Sequence, residues 1–410
     1  MWSKGETAKM DNEQILDSHY QMTDDGRICT IRDLYTTFNP NVDLEALKVS
    51  GFLSALAEMM EPVLGVPDER SPEVMAYWAK RGMVKEFHGG DVPMDWDEYE
   101  RKTGYRWHAE KYNLKQNEHK LWVSYVPASA FRTENKDRKY PVVFALHGAC
   151  NNMFLLEGWG FVQEAAKREW IVIIPSLELD DILEEILEEA KKLYPVDGGR
   201  VYATGFSYGG WASNRLGNQR PDLFAAVGPC GAAIDNAFNE GNSDDREPIP
   251  PFDGVPRALA MNTYMPVINV YGNLDGNRFP FYDFKGRKFP LAQLETPADL
   301  VEALNVWARV NHAPEIRVED VMALKDRADI SQAERDMGLP LSPDCRNSFT
   351  ADGILIHTAD LHSEDGIARI RLVAEMNIPH WPTPEMARQI FEFFSHFRRD
   401  PVTKTSIYEA

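Results

Sequence analysis

Short apolar runs alternate with amphipathic stretches from about residue 140 onward, and this pattern predicts alternating strands and helices. Two nearly continuous apolar runs, YPVVFALHG (Tyr140–Gly148) and WIVIIPS (Trp170–Ser176), are typical of strands that are buried on both faces of a sheet. Further strands are predicted at RVYATGFS, FAAVGPCGAA, MPVINVYGNLD and IARIRLVAEM. The alternation favours an α/β architecture with a mostly parallel sheet and helices on both faces.

Amphipathic segments separate these strands. In ELDDILEEILEEAKKLYP one stripe is formed by Leu179, Ile182, Leu183, Ile186 and Leu187. Acids lead and lysines trail in this segment, as the helix dipole favours. Other helices are predicted at WGFVQEAAKREW, YGGWASNRLGNQRPD, PADLVEALNVWARVN and TPEMARQIFEFFSHFRR. Ahead of them, GYRWHAEKYNLKQNEHKLWVSYVPA predicts a β-hairpin that turns at Asn117-Glu118. Residues 1–104 read as a mainly helical N-terminal segment, for example over DLEALKVSGFLSALAEMMEPVLG.

Composition narrows the classes of partner. The 410 residues carry 64 acidic and 44 basic side chains, for a net charge of -20, which disfavours nucleic acid and anionic membrane surfaces. The N-terminus lacks the apolar region of a secretory signal, and no stretch approaches the roughly 20 apolar residues of a membrane span. The four cysteines are far apart, so we expect free thiols and a cytoplasmic location, unless a signal was removed: Cys29, Cys150, Cys230 and Cys345.

A serine between glycines, in the string GFSYG, supplies the first candidate chemistry. Ser207 lies where a predicted buried strand ends and a predicted helix begins, the context in which G-x-S-x-G forms a nucleophile elbow. Glycine at positions 205 and 209 would let strand and helix approach closely. The N–H of Tyr208 would then face negative charge that forms beside the serine. We therefore predict that Ser207 is a nucleophile; the alternative is a glycine-rich turn that happens to contain a serine.

A nucleophilic serine needs a base, and in this arrangement the acid and then the histidine follow it in the chain. His380 comes just after the predicted strand IARIRLVAEM and is the predicted base. His396 lies inside the last predicted helix and is expected to pack or to lie at the surface. His357 and His362 bracket a predicted hairpin, and with Asp360 they leave a metal site open as an alternative.

The acid is predicted at Asp275, which ends the strand region PVINVYGNLDG; Asp283 and Asp299 are the alternatives. Such a carboxylate would hold the histidine in the required tautomer.

The loop HGACNN, after the YPVVFALHG strand, is expected to provide the second oxyanion N–H. Ala149 is the first choice for that donor, and Cys150 is next to it. His147 is expected to shape this loop and is a weaker candidate for the base. Trp211 and Trp381 are candidates for lining a substrate pocket, with core packing as the alternative for both.

Several segments together resemble the poly(3-hydroxybutyrate) depolymerase and feruloyl esterase type of α/β-hydrolase. They include YPVDGGRVYATGFSYGGWAS, PDLFAAVGPCGA and IPHWPTPEMARQIFEFF, and the resemblance extends from about Trp107 to Arg398. It implies the α/β-hydrolase fold, a triad of Ser207, Asp275 and His380, and hydrolysis of carboxylic esters. The chain departs from this pattern at Tyr271-Gly272, where relatives often have His-Gly, and in NIPHWP, which lacks the usual glycines and spacer.

These observations predict a serine esterase without a metal or organic cofactor, acting on small or oligomeric esters. Residues 105–410 would form the catalytic domain, with an insertion at about 312–352, and residues 1–104 an appendage or lid. One alternative is a serine peptidase of the prolyl-oligopeptidase type. The other is a catalytically silent α/β-hydrolase that serves as a binding module.

Overall fold

A ten-stranded mixed sheet forms the centre of the protein. The computed structural model describes residues 21–22, 28–29, 105–114, 117–148, 156, 159–175, 183–232, 257–273, 297–351, 353–376, 378 and 382–410. The strands are β1 (Gln21–Met22), β2 (Ile28–Cys29), β3 (Tyr105–Leu114), β4 (Asn117–Pro127), β5 (Tyr140–Leu146), β6 (Ile171–Pro175), β7 (Val196–Phe206), β8 (Ala226–Cys230), β9 (Val267–Gly272), β10 (Arg346–Ala351), β11 (Ile354–His362), β12 (Ala368–Glu375), β13 (Phe397–Arg399) and β14 (Ser406–Tyr408). The helices are α1 (Phe161–Arg168), α2 (Leu183–Leu193), α3 (Tyr208–Gln219), α4 (Arg257–Met261), α5 (Pro297–Val310), α6 (Val318–Ala323), α7 (Gln332–Met337) and α8 (Pro384–Ser395).

The strand order in the sheet is β3-β4-β6-β5-β7-β8-β9-β12-β11-β10. Six neighbouring strands, from β6 to β12 in this order, are parallel, while β4 is antiparallel to β6 and β11 is antiparallel to β12. An antiparallel hairpin that leads into parallel strands, with β6 placed between β4 and β5, is the arrangement of the α/β-hydrolase fold. The predicted fold class is therefore confirmed.

Helices cover both faces of this sheet, because alternate residues of each parallel strand point to opposite sides. On one face Tyr202 stacks between Trp170 and Phe394, at ring-centroid distances of 5.1 and 4.8 Å, next to α1 and α8. On the other face the neighbouring Val201 lies in the core that α2, α3 and α5 close, with Trp307 fully buried there. The parallel strands are thus buried on both sides, as their continuous apolar runs predict.

A buried arginine fixes the C-terminal hairpin of β13 and β14 to the sheet domain. Arg399 is 2% exposed and donates hydrogen bonds to the carbonyl oxygens of Phe224 (2.6 Å), Tyr264 (3.0 Å) and Lys404 (2.6 Å). Its removal from water lowers the pKa of the guanidinium to about 10. The side chain therefore links three separate segments of the chain through their backbone.

The predicted turn of the first hairpin and the predicted insertion at about 312–352 can both be compared with the structure. The hairpin turn lies two residues earlier than Asn117-Glu118. Leu114, the last residue of β3, pairs with Asn117, the first residue of β4. Between residues 312 and 352 the chain forms α6, α7 and β10. The prediction for residues 1–104 lies outside the described residues, except for the two-residue pairing of β1 with β2. Within the described part of the chain, every helix is too short or too polar to cross a membrane.

Candidate active site

Ser207 occupies a one-residue turn between β7, which ends at Phe206, and α3, which begins at Tyr208. Its backbone has φ 54° and ψ -115°, in a region that a residue with a side chain rarely adopts. Two hydrogen bonds hold this conformation: the N–H of Ser207 donates to Cys230 O (2.9 Å), and Ser207 O accepts from the N–H of Trp211 (3.0 Å). Strain of this kind persists only where the surrounding structure enforces it, and it is concentrated at functional sites.

Glycine is required on both sides of Ser207 because three backbone segments meet there. A Cβ at Gly209 would lie 2.1 Å from Leu146 O and 2.7 Å from His147 O, and one at Gly205 would lie 2.4 Å from Leu146 O. The end of β5 therefore contacts the first turn of α3 directly. This contact places the loop that follows β5 beside the N-terminus of α3.

The N-terminus of α3 is the predicted oxyanion side of the site. Tyr208 is the first residue of this 12-residue helix, whose first N–H groups have no partner within the helix itself. His147 follows β5 and is 2% exposed, with Nδ1 2.9 Å from Gly148 O. Ala149 and Cys150 lie outside the described residues. Trp211 is half-buried, one turn into α3.

The strands that precede the predicted acid and base are neighbours in the sheet. β9 and β12 are parallel and end together, with Glu375 opposite Gly272, and the N–H of Asn273 donates to Glu375 O (2.9 Å). Asp275 and His380 follow these two strands in the sequence and lie outside the described residues, as do Asp283 and Trp381. The alternative acid Asp299 lies on α5 rather than on a loop at the end of a strand.

Glu375 is a buried group near this edge that sequence reasoning missed. Its carboxylate is fully buried at the end of β12 and accepts a hydrogen bond from Thr383 Oγ1 (2.7 Å). Thr383 in turn caps α8 by accepting from the N–H of Met386 (3.2 Å). This pair connects the two ends of the segment that carries His380. An acidic residue closing an apolar strand, in LVAEM, was the available signal.

The remaining candidate histidines lie elsewhere. His357 and His362 are both on β11, so they do not bracket a hairpin; the chain turns after His362. Asp360 is held by Arg371 through two hydrogen bonds of 2.7 and 2.8 Å. Among the described residues no group of three or more His, Cys, Asp or Glu side chains is placed to hold a metal ion. His396 directly follows α8, with Nδ1 3.1 Å from Glu409 O.

Of the described cysteine side chains, neither Cys230 nor Cys345 forms a disulfide. Burial, followed by the charges of Asp344 and Asp360, raises the pKa of the Cys345 thiol, which disfavours the reactive thiolate.

Comparison with known proteins finds partial similarities. The prolyl oligopeptidase family matches residues 175–254, a stretch that contains Ser207. The "Putative esterase NocK" of Nocardia uniformis subsp. tsuyamanensis is 27% identical over 175 residues. That match covers 40% of this chain and 42% of the relative, so the chain spans less than half of the relative's length.

Two solved structures are similar in part. Acetyl xylan esterase from Aspergillus awamori has 13% identity and a TM-score of 0.43, and the match covers 70% of this chain and 98% of that one. The Staphylococcus aureus fluorophosphonate-binding serine hydrolase FphF has 16% identity and a TM-score of 0.36, with coverage of 51% and 99%. At this level neither carries information on substrate. The strand order and the strand–turn–helix around Ser207 decide the classification of the fold: the chain has the α/β-hydrolase fold.

Proposed function

We propose that this protein is a serine carboxylic ester hydrolase that works through an acyl-enzyme. The observation that carries the proposal is the backbone of Ser207, held at φ 54° between a buried strand and a helix N-terminus. That turn projects the side chain away from the sheet, where a substrate carbonyl can reach Oγ. Glycines 205 and 209, packed on Leu146 O, make the turn possible.

In the proposed reaction Ser207 Oγ attacks the acyl carbon while His380 takes its proton. Asp275 holds the imidazole in the required tautomer and stabilises the imidazolium. The N–H groups of Tyr208 and Ala149 hold the tetrahedral oxyanion, with Cys150 adjacent. His380 then protonates the leaving alcohol, and water repeats the sequence to release the acid.

Assembly of this triad is supported by the register of the sheet. β7, β8, β9 and β12 are consecutive parallel neighbours, so all of their carboxyl ends lie at one edge. Ser207 follows the first of these strands, Asp275 the third and His380 the fourth. Side chains at the carboxyl ends of parallel strands form the working sites of open α/β sheets.

The proposed substrates are small or oligomeric esters with acetyl, feruloyl or hydroxyacid groups. The sequence resemblance to the depolymerase and feruloyl esterase type supports this class, and the similarity to NocK, a putative esterase, supports ester hydrolysis in general. Trp211, Trp381 and His147 are proposed to line the cleft. No metal or organic cofactor has a role in the reaction.

A serine peptidase is the second candidate, because the prolyl oligopeptidase family matches residues 175–254. Peptidase and esterase share the elbow and the order of the triad, so residues near Ser207 do not separate them. The two activities are separated by a pair of substrates with the same acyl group, one a p-nitrophenyl ester and the other a p-nitroanilide. A catalytic efficiency at least as high on the anilide would favour the peptidase.

The decisive experiment is hydrolysis of a panel of p-nitrophenyl acetate, p-nitrophenyl butyrate, methyl ferulate and a hydroxybutyrate oligomer. Ser207→Ala is the test variant. Ser213→Ala is the matched control, because that serine lies in the same helix with its hydroxyl bonded to Gly210 O (2.8 Å). We expect turnover of at least one ester, lost in Ser207→Ala and retained in Ser213→Ala. Turnover that survives unchanged in Ser207→Ala would contradict the proposal.

A further inference from the structure

A second chain of serine, histidine and aspartate lies outside the site at Ser207. Ser348 Oγ is 2.8 Å from His357 Nδ1, and His357 Nε2 is 3.0 Å from Asp336 Oδ2. Ser348 and His357 face each other across the strand pair β10–β11, and Asp336 lies on α7. These three residues, which we call the edge relay, stand on elements that the proposed ester hydrolysis does not use.

Hydrogen bonding fixes the direction of the edge relay. A carboxylate only accepts hydrogen bonds, so the Nε2 of neutral His357 must carry the proton that faces Asp336. Nδ1 is then unprotonated and accepts from the hydroxyl of Ser348. This is the polarity of a catalytic triad with the two ring nitrogens exchanged. The serine hydroxyl is therefore placed against a base that a carboxylate supports.

Burial divides the edge relay into a protected part and an accessible part. His357 is 2% exposed, whereas Ser348 is exposed on the outermost strand of the sheet. Asp336 is also held from its other oxygen, since Gln332 Nε2 donates to Oδ1 (2.7 Å). The imidazole and carboxylate are thus fixed beneath a hydroxyl that a small molecule can reach.

The helix that carries Asp336 is anchored to the same strands. Ser331 and Glu334 form a capping box at its start. Glu334 is also paired with Arg346 at the beginning of β10. The edge relay and this ion pair both link α7 to the strand pair, so the position of Asp336 does not depend on the relay alone.

From this arrangement we propose that Ser348 is a second activated serine, which accepts acyl groups from small activated esters. Ser348 Oγ forms a bond to the acyl carbon as the bond from that carbon to the alcohol oxygen breaks. The hydroxyl proton passes to His357 Nδ1 and then to the departing alcohol. Asp336 acts as the positioning residue that stabilises the imidazolium. With a fluorophosphonate, a P–O bond forms, the P–F bond breaks, and hydrogen fluoride leaves.

The expected size of the effect follows from general-base catalysis, which contributes about 10²–10⁴-fold. Thr350 is an internal reference, because it is exposed on the same strand and faces Leu355 instead of a histidine. Ser348 should therefore react at least about 100-fold faster than Thr350 with the same reagent.

The test uses the full chain carrying Ser207→Ala, so that the elbow serine cannot react. The protein is incubated with a small alkyl fluorophosphonate, and the rate of adduct formation at each hydroxyl is followed by peptide mass spectrometry. His357→Gln is the main variant, because the amide keeps a donor for Asp336 but is not a base. Asp336→Asn is the second variant, which keeps the side-chain shape and removes the charge.

We expect the adduct on Ser348 to form at least about 100-fold faster than the adduct on Thr350. In His357→Gln the rate at Ser348 should fall to the rate at Thr350. In Asp336→Asn the rate at Ser348 should fall at least about tenfold. Labelling that is equal at both positions would overturn the proposal. So would labelling of Ser348 that is unaffected by both variants. If His357→Gln does not fold, the Asp336→Asn rate decides alone. Since Ser207 is absent throughout, neither result bears on the proposed ester hydrolase.

Discussion

Replacing Gly209 with alanine tests whether the packing around Ser207 determines its reactivity. Gly209 lies two residues after the serine in the first turn of α3. An added Cβ would be 2.1 Å from Leu146 O and 2.5 Å from Leu146 C, whereas real Cβ contacts essentially never fall under 3.0 Å. Both of these atoms are backbone atoms at the end of a buried strand, so they have no side-chain rotation with which to yield.

The size of the effect follows from these distances. The start of α3 and the end of β5 must separate by roughly 1 Å, a displacement that can cost about 100-fold in rate when it moves a reacting group. Ser207 and the predicted oxyanion loop lie on the two segments that separate. Overpacking a filled interior also costs about 1–3 kcal/mol of unfolding free energy. We expect both losses in Gly209→Ala.

Gly198→Ala is the matched control. Gly198 lies in the same strand as Gly205, and a Cβ there would meet nothing within 4 Å. This variant should retain full reactivity and gain or lose no more than about 1 kcal/mol. The measurements are the second-order rate of fluorophosphonate labelling at Ser207 and the free energy of unfolding in urea.

One result would refute this reasoning. If Gly209→Ala labelled at Ser207 within a factor of two of Gly198→Ala, with an unfolding free energy that also matched, the contact with Leu146 would have no control over the serine. A folded Gly209→Ala protein that had lost only labelling would instead assign the whole effect to the position of Ser207.

Three further predictions concern residues around the sheet. Thr383→Val should lower kcat about tenfold, because the segment that carries His380 shifts, with KM little changed. The same variant should lose about 1 kcal/mol of unfolding free energy from the cap of α8. Thr383→Ser should restore kcat, and equal kcat in both variants would contradict a role for the hydroxyl. Arg399→Lys should lower the unfolding free energy in urea by about 1–3 kcal/mol, because the guanidinium donates to four carbonyl oxygens and an ammonium with three N–H donors leaves at least one of them unpaired. An unchanged unfolding free energy would contradict this. Burial raises the pKa of Glu334, but hydrogen bonds from Ser331 and Arg346 lower it by more, so the folded pKa lies below the ordinary value of a glutamate. The stability that the Glu334 carboxylate contributes is therefore present at neutral pH and lost as the pH falls through its folded pKa. The difference in unfolding free energy between the unmodified protein and Glu334→Gln should shrink between about pH 7 and pH 3 in urea titrations; a constant difference would refute the assignment.

The arrangement of the sheet was predictable where the residues follow a simple period. The apolar runs at Tyr140–Gly148 and Trp170–Ser176 correspond to β5 and β6, because a strand buried on both faces has no polar alternation. The position of Ser207 was predictable for a related reason: glycines flank it between a strand pattern and a helix pattern. The hairpin turn was placed two residues too late, since Asn117 and Glu118 look like turn residues but are the first two residues of β4, where Asn117 pairs with Leu114.

What the sequence did not indicate depends on contacts between distant residues. Ser348, His357 and Asp336 are 9 and 21 residues apart and meet only because α7 folds over β10 and β11. The sequence shows that an acidic residue, Glu375, lies at the end of a strand. It does not show the hydrogen bond from Thr383, which forms because the start of α8 packs against the end of that strand. Periodicity reports which face a residue occupies and not which side chain lies opposite it.

The hydrogen bond from Ser207 N–H to Cys230 O has a consequence for how the protein folds. The acceptor, Cys230 at the end of β8, follows the serine by more than twenty residues, and β8 must dock before this bond can form. Formation of the strained turn therefore waits on a long-range pairing, the slow kind of event in sheet folding. A folding intermediate with β7 and α3 formed but β8 undocked would have helical signal and an unreactive serine. Recovery of fluorophosphonate labelling during refolding then times the completion of the sheet.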